Sequence, residues 1–532
     1  MSIRRQGVCL AMTLVHAAMG TAQAQAPAQD MPTRGGIFTY AISQGEPAHL
    51  DCQMNISINA ALRLAPHYST LVKASPGNPD QLVGDLARSW TISPDGRTMT
   101  FKLHTGVQFH NGTPLTAADV RASLNRIRQP PKGIPSPQQN MYADVESVEA
   151  PDAETVVLRL SSPNPALIKV LANPRTCILS EALLKSDPDY PSKKVMGSGP
   201  FRFVKYSPGT EWVGERFEKF HVSGRPYLDG FRALTVTTAA ANNALLAGQV
   251  MTDFRGLALV EAMRIKSSRG DKVQLHEPKV INLLLLMQLN GKKPDLADSR
   301  VRKAIALAMD HWGGEKLVER LTGTSAPGGL LRPGSEFART PEQLSTLPGF
   351  RRDMEAARAE ARKLLAEAGK PALTLKFLNR RPFPYVGVFV IDQLRQIGIT
   401  VTQEQVEDPQ YLAKREAGDY DLVLGAMPDF DDDPTLQWAN FTSASKNREN
   451  WSNTDDPKID AYYLQQKQAT NAQQRKAILQ EAEAYMLNQA YVVPFFWGRR
   501  TIIMASEVGG YVPTNSNWLG MDLAHLWIKK AP

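Results

Sequence analysis

The densest group of chemically active side chains in this sequence is a short acidic segment in its last fifth. The segment consists of Asp429, Phe430, Asp431, Asp432, Asp433 and Pro434. Alternating carboxylates are typical of a calcium-binding loop, but that loop needs Gly at its sixth position and a distant bidentate Glu. Pro434 occupies the sixth position, so the spacing does not predict a calcium site. A solvated acidic loop and a set of ligand-binding carboxylates both stay open.

Two neighbouring arginines and one tryptophan are further candidates for binding a ligand. Arg380 and Arg381 lie in a loop that follows a predicted strand. A guanidinium group binds a carboxylate through two parallel hydrogen bonds, although surface arginines without a ligand are common. Trp438 offers a ring on which a ligand can stack, although a buried tryptophan more often packs in a core.

The residue patterns that mark enzymes and cofactor sites do not occur in the sequence. There is no G-x-S-x-G motif around a nucleophilic serine. The nine histidines are dispersed and show no zinc-binding spacing. Gly197-Ser198-Gly199 precedes Pro200, which has no amide to donate to a phosphate. We therefore expect a protein that is not an enzyme and holds neither a metal ion nor a cofactor.

Strand and helix patterns alternate along the chain. Residues 90–103 predict a β-hairpin around Pro94-Asp95-Gly96. Thr116 and Asp119 have the spacing of a capping box at the start of a helix. In the second half, an apolar strand over 280–289 is followed by helices and strands in turn up to residue 405. This order predicts a mixed α/β protein whose second half forms a lobe of its own.

The N-terminus has the three parts of a secretory signal. Arg4 and Arg5 precede a mostly apolar stretch over residues 8–19, and Ala22-Gln23-Ala24 provides a cleavage site. The apolar stretch is shorter than the ~20 residues that a membrane-spanning helix needs. We expect residues 1–24 to be a signal peptide that is removed on export to the periplasm.

Length, charge and cysteine content restrict the remaining chain further. With 532 residues in the sequence, two or three domains are expected. The net charge of +8 comes from basic residues that are scattered rather than gathered in one stripe, so we expect no nucleic-acid partner. Cys52 and Cys177 are the two cysteines beyond the signal, and one disulfide is open to them in an oxidising compartment.

Four segments of the sequence resemble the extracytoplasmic solute-binding protein family 5, which includes the dipeptide- and oligopeptide-binding receptors of ABC importers. The first runs from Leu86-Ala87-Arg88-Ser89-Trp90 to Asp119-Val120, and the second is Gly197-Ser198-Gly199-Pro200-Phe201. The third runs from Leu289-Asn290 to Ala308-Met309-Asp310. The fourth comprises residues 363–369, with Gly418-Asp419-Tyr420-Asp421 and Asp432-Asp433-Pro434 beyond it. They follow one another in the family's order over nearly all of the mature chain.

This resemblance implies a periplasmic-binding-protein clamshell of two α/β lobes with an extra subdomain in the N-terminal lobe. Lobe 1 is expected over residues 33–280, with the subdomain inserted at about 56–184, and is completed by 495–532. Lobe 2 is expected over residues 281–494. The chain is expected to cross between the lobes near Glu277-Pro278 and to return near Val493-Pro494.

The resemblance also implies a function and a partner. A monomeric receptor is expected to bind a peptide or peptide-like solute between its lobes and to deliver it to an inner-membrane ABC permease. In peptide-binding members an Asp-aromatic pair binds the α-amine of the ligand, which makes Asp429, Phe430 and Asp431 candidates for that role here. Because the family is diverse, an opine, an oligosaccharide, a metal chelate, haem or an organic acid stays open as the ligand.

Overall fold

The computed structural model describes residues 31–530, apart from 44, 56, 79–80, 133–135, 278–280, 282, 323–325, 382, 429–432, 470, 500 and 515–519. The strands in this part are β1 (Ile37–Ser43), β2 (Val72–Ala74), β3 (Leu82–Gly84), β4 (Ala87–Ile92), β5 (Thr98–Leu103), β6 (Val145–Glu149), β7 (Thr155–Leu160), β8 (Phe201–Ser207), β9 (Glu211–Arg216), β10 (Gly230–Val236), β11 (Val273–His276), β12 (Leu283–Leu289), β13 (Leu373–Arg380), β14 (Ile399–Val406), β15 (Leu422–Pro428), β16 (Val492–Gly498), β17 (Ile502–Ala505), β18 (Val508–Gly509) and β19 (Trp527–Ile528).

The α-helices of the same residues are α1 (Ile58–Leu64), α2 (Ala117–Arg128), α3 (Leu167–Val170), α4 (Glu181–Ser186), α5 (Tyr190–Lys193), α6 (Thr238–Ala247), α7 (Leu259–Arg269), α8 (Pro294–Ala297), α9 (Ser299–Ala308), α10 (His311–Thr322), α11 (Pro341–Leu344), α12 (Met354–Glu367), α13 (Pro384–Arg395), α14 (Asp408–Glu416), α15 (Thr435–Trp438), α16 (Pro457–Gln468) and α17 (Ala472–Gln489).

Lobe 1 contains two four-stranded sheets. The first has the order β1-β10-β9-β8, in which β1 and β10 are parallel and the other pairs are antiparallel. The second has the order β4-β5-β7-β6 and is antiparallel throughout. The second sheet and α2 enclose their own apolar core. They lie between β1 and β8 in sequence, and we call them the inserted subdomain, as the resemblance predicts.

Lobe 2 is built on one five-stranded sheet of order β14-β13-β15-β12-β16. The strands β14, β13 and β15 run parallel, while β12 pairs antiparallel with both β15 and β16. Leu284, Leu286 and Met287 of β12 are fully buried, because layers of the lobe cover both faces of this central strand. The apolar run of the sequence thus forms a buried strand and not a helix.

The chain passes between the lobes twice in the described structure. β11 pairs with β17 in lobe 1, whereas β12 pairs with β16 in lobe 2. The first crossing therefore lies between His276 and Leu283, and the second between Gly498 and Ile502. The hydroxyl of Thr501 donates to Glu277 Oε1 over 2.8 Å, so the two crossing segments contact each other. The predicted return at residue 494 falls within β16, which keeps its pairing with β12 up to Gly498.

Local sequence signals explain several of these elements. The predicted hairpin forms as β4 and β5, and Gly96 at its turn has φ +68°, which favours glycine. The Thr116 amide donates to Asp119 Oδ2 over 2.8 Å, so the predicted capping box begins α2. Asp353 caps α12 by accepting from the Ala356 amide over 3.0 Å.

The Gly197-Ser198-Gly199 segment has a packing role. A Cβ atom on Gly197 would lie 2.0 Å from the His67 carbonyl oxygen, and one on Gly199 would lie 2.5 Å from the Tyr68 amide nitrogen. His67 is itself fixed, because Trp212 Nε1 donates to its Nε2 over 2.8 Å. Burial lowers the pKa of His67 to about 3, so it stays neutral at ordinary pH. Only glycine allows the two backbone segments to approach so closely.

We expect Gly199→Ala to destabilise the protein by about 1–3 kcal/mol, the usual cost of overpacking a site that cannot relax. Backbone atoms surround the added methyl group, and no side-chain rotation relieves the overlap. Gly77→Ala is the matched control, because a Cβ atom at Gly77 meets nothing within 4 Å. Thermal denaturation of both variants measures the difference, and equal melting temperatures would contradict the packing role.

Candidate ligand-binding site

A cavity of about 900 Å³ lies between the two lobes. This volume is in the range of protein sites that enclose small organic ligands. Lobe 1 lines it with side chains between residues 46 and 59 and with Ser136 and Pro137. Lobe 2 lines it with Lys292, with side chains of α14 and with the loop over residues 444–455.

The lobe 1 wall is held by a disulfide and a buried ion pair. Cys52 and Cys177 are bonded, which answers the question that the sequence left open. Next to them, Arg126 Nη2 lies 2.5 Å from Asp51 Oδ2, and both side chains are buried. Gln53 Nε2 donates to the Cys177 carbonyl over 3.1 Å. These bonds tie the cavity-lining segment to the inserted subdomain and limit its movement.

The lobe 2 loop is fixed by its own asparagines. Asn450 Nδ2 donates to the carbonyl groups of Thr442 and Thr454, over 2.9 and 3.1 Å. Asn453 has a left-handed backbone with φ 53°, which asparagine tolerates better than most residues. Its side-chain amide donates to the Tyr420 hydroxyl over 3.1 Å. The loop therefore presents a defined polar wall to the cavity.

Arg415, in the last turn of α14, offers the clearest binding group. It lines the cavity and is only 9% exposed. Its guanidinium carbon lies 4.1 Å from the centre of the Trp451 ring, a cation–π contact. The nearest carboxylate, that of Glu449, is 3.9 Å away, which is too far for a hydrogen bond. Among the described residues none accepts a hydrogen bond from this guanidinium, so its donors are available to a ligand.

The charges around Glu449 come from both lobes. Arg175 belongs to lobe 1 and lies between α3 and α4 in sequence. Burial lowers the pKa of Arg175 to about 10, and the negative charge of Glu449 opposes that shift. Arg415 contacts the same carboxylate from lobe 2. Glu449, which lines the cavity, thus interacts electrostatically with a guanidinium group of each lobe. The cavity wall as a whole carries charges of both signs, since the carboxylates of Glu46, Asp408, Glu416 and Asp455 line it as well. An anionic group of the ligand is therefore favoured beside Arg415 and not throughout the cavity.

The structure places Arg380 in an ion pair within the protein. Arg380 Nε and Nη2 lie 2.9 and 2.7 Å from Asp408 Oδ1, and Arg255 Nη2 of lobe 1 lies 3.2 Å from Asp408 Oδ2. Burial would raise the pKa of the Asp408 carboxyl, but the charges of Arg380 and Arg255 hold it below its usual range. Asp408 lines the cavity and links the two lobes.

The other two described candidates lie in different surroundings. Arg381 is exposed and lies 3.5 Å from Glu407 in a surface ion pair. Trp438 is 1% exposed and packs edge to face on Phe441, with ring centres 6.1 Å apart, in the lobe 2 core. Neither residue is among the described side chains that line the cavity. A direct ligand contact by either one stays a prediction.

The acidic segment is described only at its end. Asp429, Phe430 and Asp431 lie outside the described residues, so their predicted contact with a ligand amine is not tested. Asp433 forms a 2.5 Å ion pair with Arg475 Nη2, and its Oδ1 accepts from the Thr435 amide over 2.9 Å. Asp433 thus holds the end of the segment at the start of α15.

Neither a cluster of metal ligands nor a membrane-spanning helix is found among the described residues. No three His, Cys, Asp or Glu side chains of the described chain are grouped so that they would hold a metal ion. None of its helices is long and apolar enough to cross a membrane.

The two-lobed architecture and the inter-lobe cavity agree with the comparisons to known proteins. The family model for bacterial extracellular solute-binding proteins, family 5 (middle), matches residues 81–448. The chain belongs to this family. Members of family 5 are solute-binding receptors, and the relatives below carry names of that kind.

Two curated proteins are similar to this chain over most of their length. The probable D,D-dipeptide-binding periplasmic protein DdpA of Escherichia coli K12 is 26% identical, over 88% of this chain and 90% of its own. The dipeptide-binding protein DppE of Bacillus subtilis is 22% identical, over 95% of this chain and 96% of its own.

Solved structures of two binding proteins share the fold, as the sequence predicted. The periplasmic binding protein AgaA of A. tumefaciens R10, in complex with agropinic acid, superposes with a TM-score of 0.82. It is 25% identical and covers 93% of this chain and 99% of its own. Haemophilus influenzae OppA, in complex with the peptide RPPGFSPFR, also has a TM-score of 0.82, at 21% identity over 94% of this chain and 100% of its own.

Sequence patterns did not indicate the pair of Arg415 and Trp451 in this family 5 protein. Arg415 lies in the stretch Lys414-Arg415-Glu416, which is typical of a solvated helix surface. Trp451 lies in a polar loop 36 residues further along the chain, and β15 and α15 lie between the two residues in sequence. No local spacing links the two residues, and only the folded lobe brings them together.

Proposed function

We propose that this protein is the periplasmic receptor of an ABC importer and binds a peptide or peptide-like solute between its lobes. The observation that carries the proposal is the Arg415 guanidinium, which stacks on Trp451 at a cavity of about 900 Å³ with no described hydrogen-bond acceptor. A guanidinium binds a carboxylate through two parallel, charge-assisted hydrogen bonds. The ligand is therefore expected to carry a carboxylate, as the C-terminus of a peptide does.

The positively charged α-amine of a peptide ligand requires an acidic partner in the protein. By resemblance to peptide-binding members, Asp429 and Asp431 bind the α-amine, and Phe430 packs beside it. A carboxylate in a closed, dry cleft forms a strong hydrogen bond with an ammonium group. Arg380, Arg381 and Trp438 are the remaining candidates for ligand contact. Arg380 acts in part through Asp408, which it holds at the cavity wall.

The receptor works by binding and release without covalent chemistry. Closing the lobes around a ligand forms contacts that the open form does not have, so ligand binding favours the closed form. An inner-membrane permease that binds only the closed form then receives loaded receptors. The protein acts as a monomer. Export by a signal peptide over residues 1–24, which is cleaved, places it in the periplasm.

An opine is the second candidate ligand, supported by AgaA, which carries agropinic acid in its structure. Opines, like peptides, carry a carboxylate, which the Arg415 guanidinium would bind in either case. A peptide has a backbone of repeated amides, whereas an opine of this kind is a single small molecule. The two are therefore distinguished by ligand size and by competition.

The experiment that tests the proposal begins with the native protein. Ligand released by denaturation of periplasmic material is identified by mass spectrometry. The purified protein is then screened by thermal shift against di- to pentapeptides, agropinic acid and a set of oligosaccharides. A ligand present at 100 times its Kd stabilises the folded state by about 2.7 kcal/mol, so we expect a clear rise in melting temperature with a short peptide. A response to agropinic acid alone would favour the opine, and a response to a sugar alone would contradict the proposal.

A further inference from the structure

A second contact between the lobes lies apart from the described cavity wall. Lys467, at the end of α16 in lobe 2, forms an ion pair with Asp144, which precedes β6 in the inserted subdomain. Neither residue is among the described side chains that line the cavity. This contact therefore joins the lobes without touching a ligand held in the cavity.

The Lys467–Asp144 pair is unusually well shielded for an ion pair between two lobes. The Lys467 side chain is 5% exposed and that of Asp144 is 11% exposed. Asp144 also accepts from Ser162 Oγ over 2.8 Å and from Asn164 Nδ2 over 3.0 Å. The Lys467 ammonium lies 5.4 Å from the centre of the Tyr463 ring. Charged groups are buried this deeply only where they are paired and hydrogen-bonded.

An apolar side chain accompanies the ion pair. Leu436 belongs to lobe 2 by sequence, yet it packs in the apolar core of the inserted subdomain and is 7% exposed. Two residues later in the same short helix α15, Trp438 packs in the core of lobe 2. The helix α15 thus places Leu436 in the core of the inserted subdomain of lobe 1 and Trp438 in the core of lobe 2. The Asp433–Arg475 ion pair fixes its N-terminal end.

We propose that Leu436, Lys467 and Asp144 form a latch that stabilises the closed form of the receptor. This inference rests on the proposed function, because a latch has a use only in a protein that opens and closes. When the lobes separate, Leu436 leaves an apolar core, and Lys467 and Asp144 become hydrated. The latch therefore favours closure, and it sets the affinity of a ligand that it does not contact.

The position of α15 gives the latch a connection to the ligand. The helix begins at Thr435, directly after Pro434, which is the last residue of the acidic segment. The candidate amine-binding residues Asp429 and Asp431 are therefore close to Leu436 in the chain. We expect ligand binding by the acidic segment to be coupled to formation of the latch contacts.

The test uses hydrogen exchange and small-angle X-ray scattering on the full-length protein as purified, with no added ligand. Lys467→Met removes the charge and keeps the length of the side chain, and it leaves the Ser162 and Asn164 bonds of Asp144 in place. We expect amide exchange in α15 to become roughly tenfold faster or more, because the closed form loses its ion pair. The radius of gyration should rise as the open form gains population.

Leu436→Ala is the second variant and acts through the apolar contact. It should speed exchange of α15 by roughly 30-fold or more, in line with the cost of large-to-small substitutions in a core. The control is Lys446→Met, which removes an ion pair of 2.7 Å to Asp460 of the same helix α16 within lobe 2. It should change neither exchange in α15 nor the radius of gyration.

Unchanged exchange and unchanged size in both latch variants would overturn the inference. An equal effect of Lys446→Met would overturn it as well, since the response would then report on α16 and not on the lobe contact. Both readouts are independent of the ligand, so a failed peptide screen would leave them valid. A successful screen combined with unchanged variants would reject the latch alone.

Discussion

Replacing both Cys52 and Cys177 with Ser should lower the free energy of unfolding by about 3–5 kcal/mol. The disulfide closes a loop over a sequence separation of 125 residues, and this loop includes the inserted subdomain. A bond that closes so long a loop restricts the unfolded chain more than the folded one. Without it, the unfolded state gains entropy and the native state becomes less stable.

Urea denaturation of the double variant and of the oxidised wild-type protein measures this change. The wild-type protein under reducing conditions should match the double variant, and the reductant should not affect the double variant at all. We expect the affinity for ligand to fall as well, because Gln53 and Asp51 next to the bridge hold the lobe 1 wall. An unchanged unfolding midpoint would mean that the buried Asp51–Arg126 pair holds the segment alone.

Elements whose signals are local could be predicted from the sequence. The hairpin of β4 and β5 follows from its Pro-Asp-Gly turn, and α2 begins at the capping box of Thr116 and Asp119. In lobe 2 the predicted apolar strand over residues 280–289 corresponds to β12, and the helix and strand patterns up to residue 405 lead to β14. The return crossing was placed too early, because β16 is apolar on both sides of residue 494 and shows no boundary.

Ion pairs between distant residues could not be predicted in the same way. Arg380 was a candidate for a ligand carboxylate, but the sequence contains no sign that Asp408, 28 residues away, holds its guanidinium. The pairing depends on the parallel register of β13 and β14, which places Arg380 opposite Val406, two residues before Asp408. Whether Arg380 is paired within the protein or is available to a ligand thus becomes clear only when the register of β13 and β14 is known.

Replacing Arg415 with Met should weaken ligand binding roughly 10- to 150-fold. Hydrogen bonds to charged groups contribute about 1.5–3 kcal/mol, which corresponds to this range of affinity. Met retains an unbranched apolar side chain that can still pack on Trp451, so the packing loss is small. Because the guanidinium donates no hydrogen bond to the described chain, its removal costs the protein only the 3.9 Å contact with the Glu449 carboxylate. The stability of the ligand-free protein should change little.

A more conservative substitution separates charge from geometry. Arg415→Lys keeps the positive charge but loses the planar fork and its stacking on the Trp451 ring, which lies 4.1 Å from the guanidinium carbon. Its affinity should fall between those of the wild-type protein and Arg415→Met. The amide or methyl ester of the same ligand should bind the wild-type protein about as weakly as the acid binds Arg415→Met, since both changes remove one member of the same pair.

Isothermal titration calorimetry with the ligand recovered from native protein measures all of these affinities. The control is Arg395→Met, which removes an exposed arginine of lobe 2 that pairs with Asp392 within α13. Surface pairs of this kind contribute at most about 1 kcal/mol to stability, and the control should bind the ligand like the wild-type protein. If Arg415→Met also binds like the wild-type protein, the carboxylate is held elsewhere in the cavity. Arg448 and Lys292, the other basic side chains of its lobe 2 wall, would then be the residues to replace next.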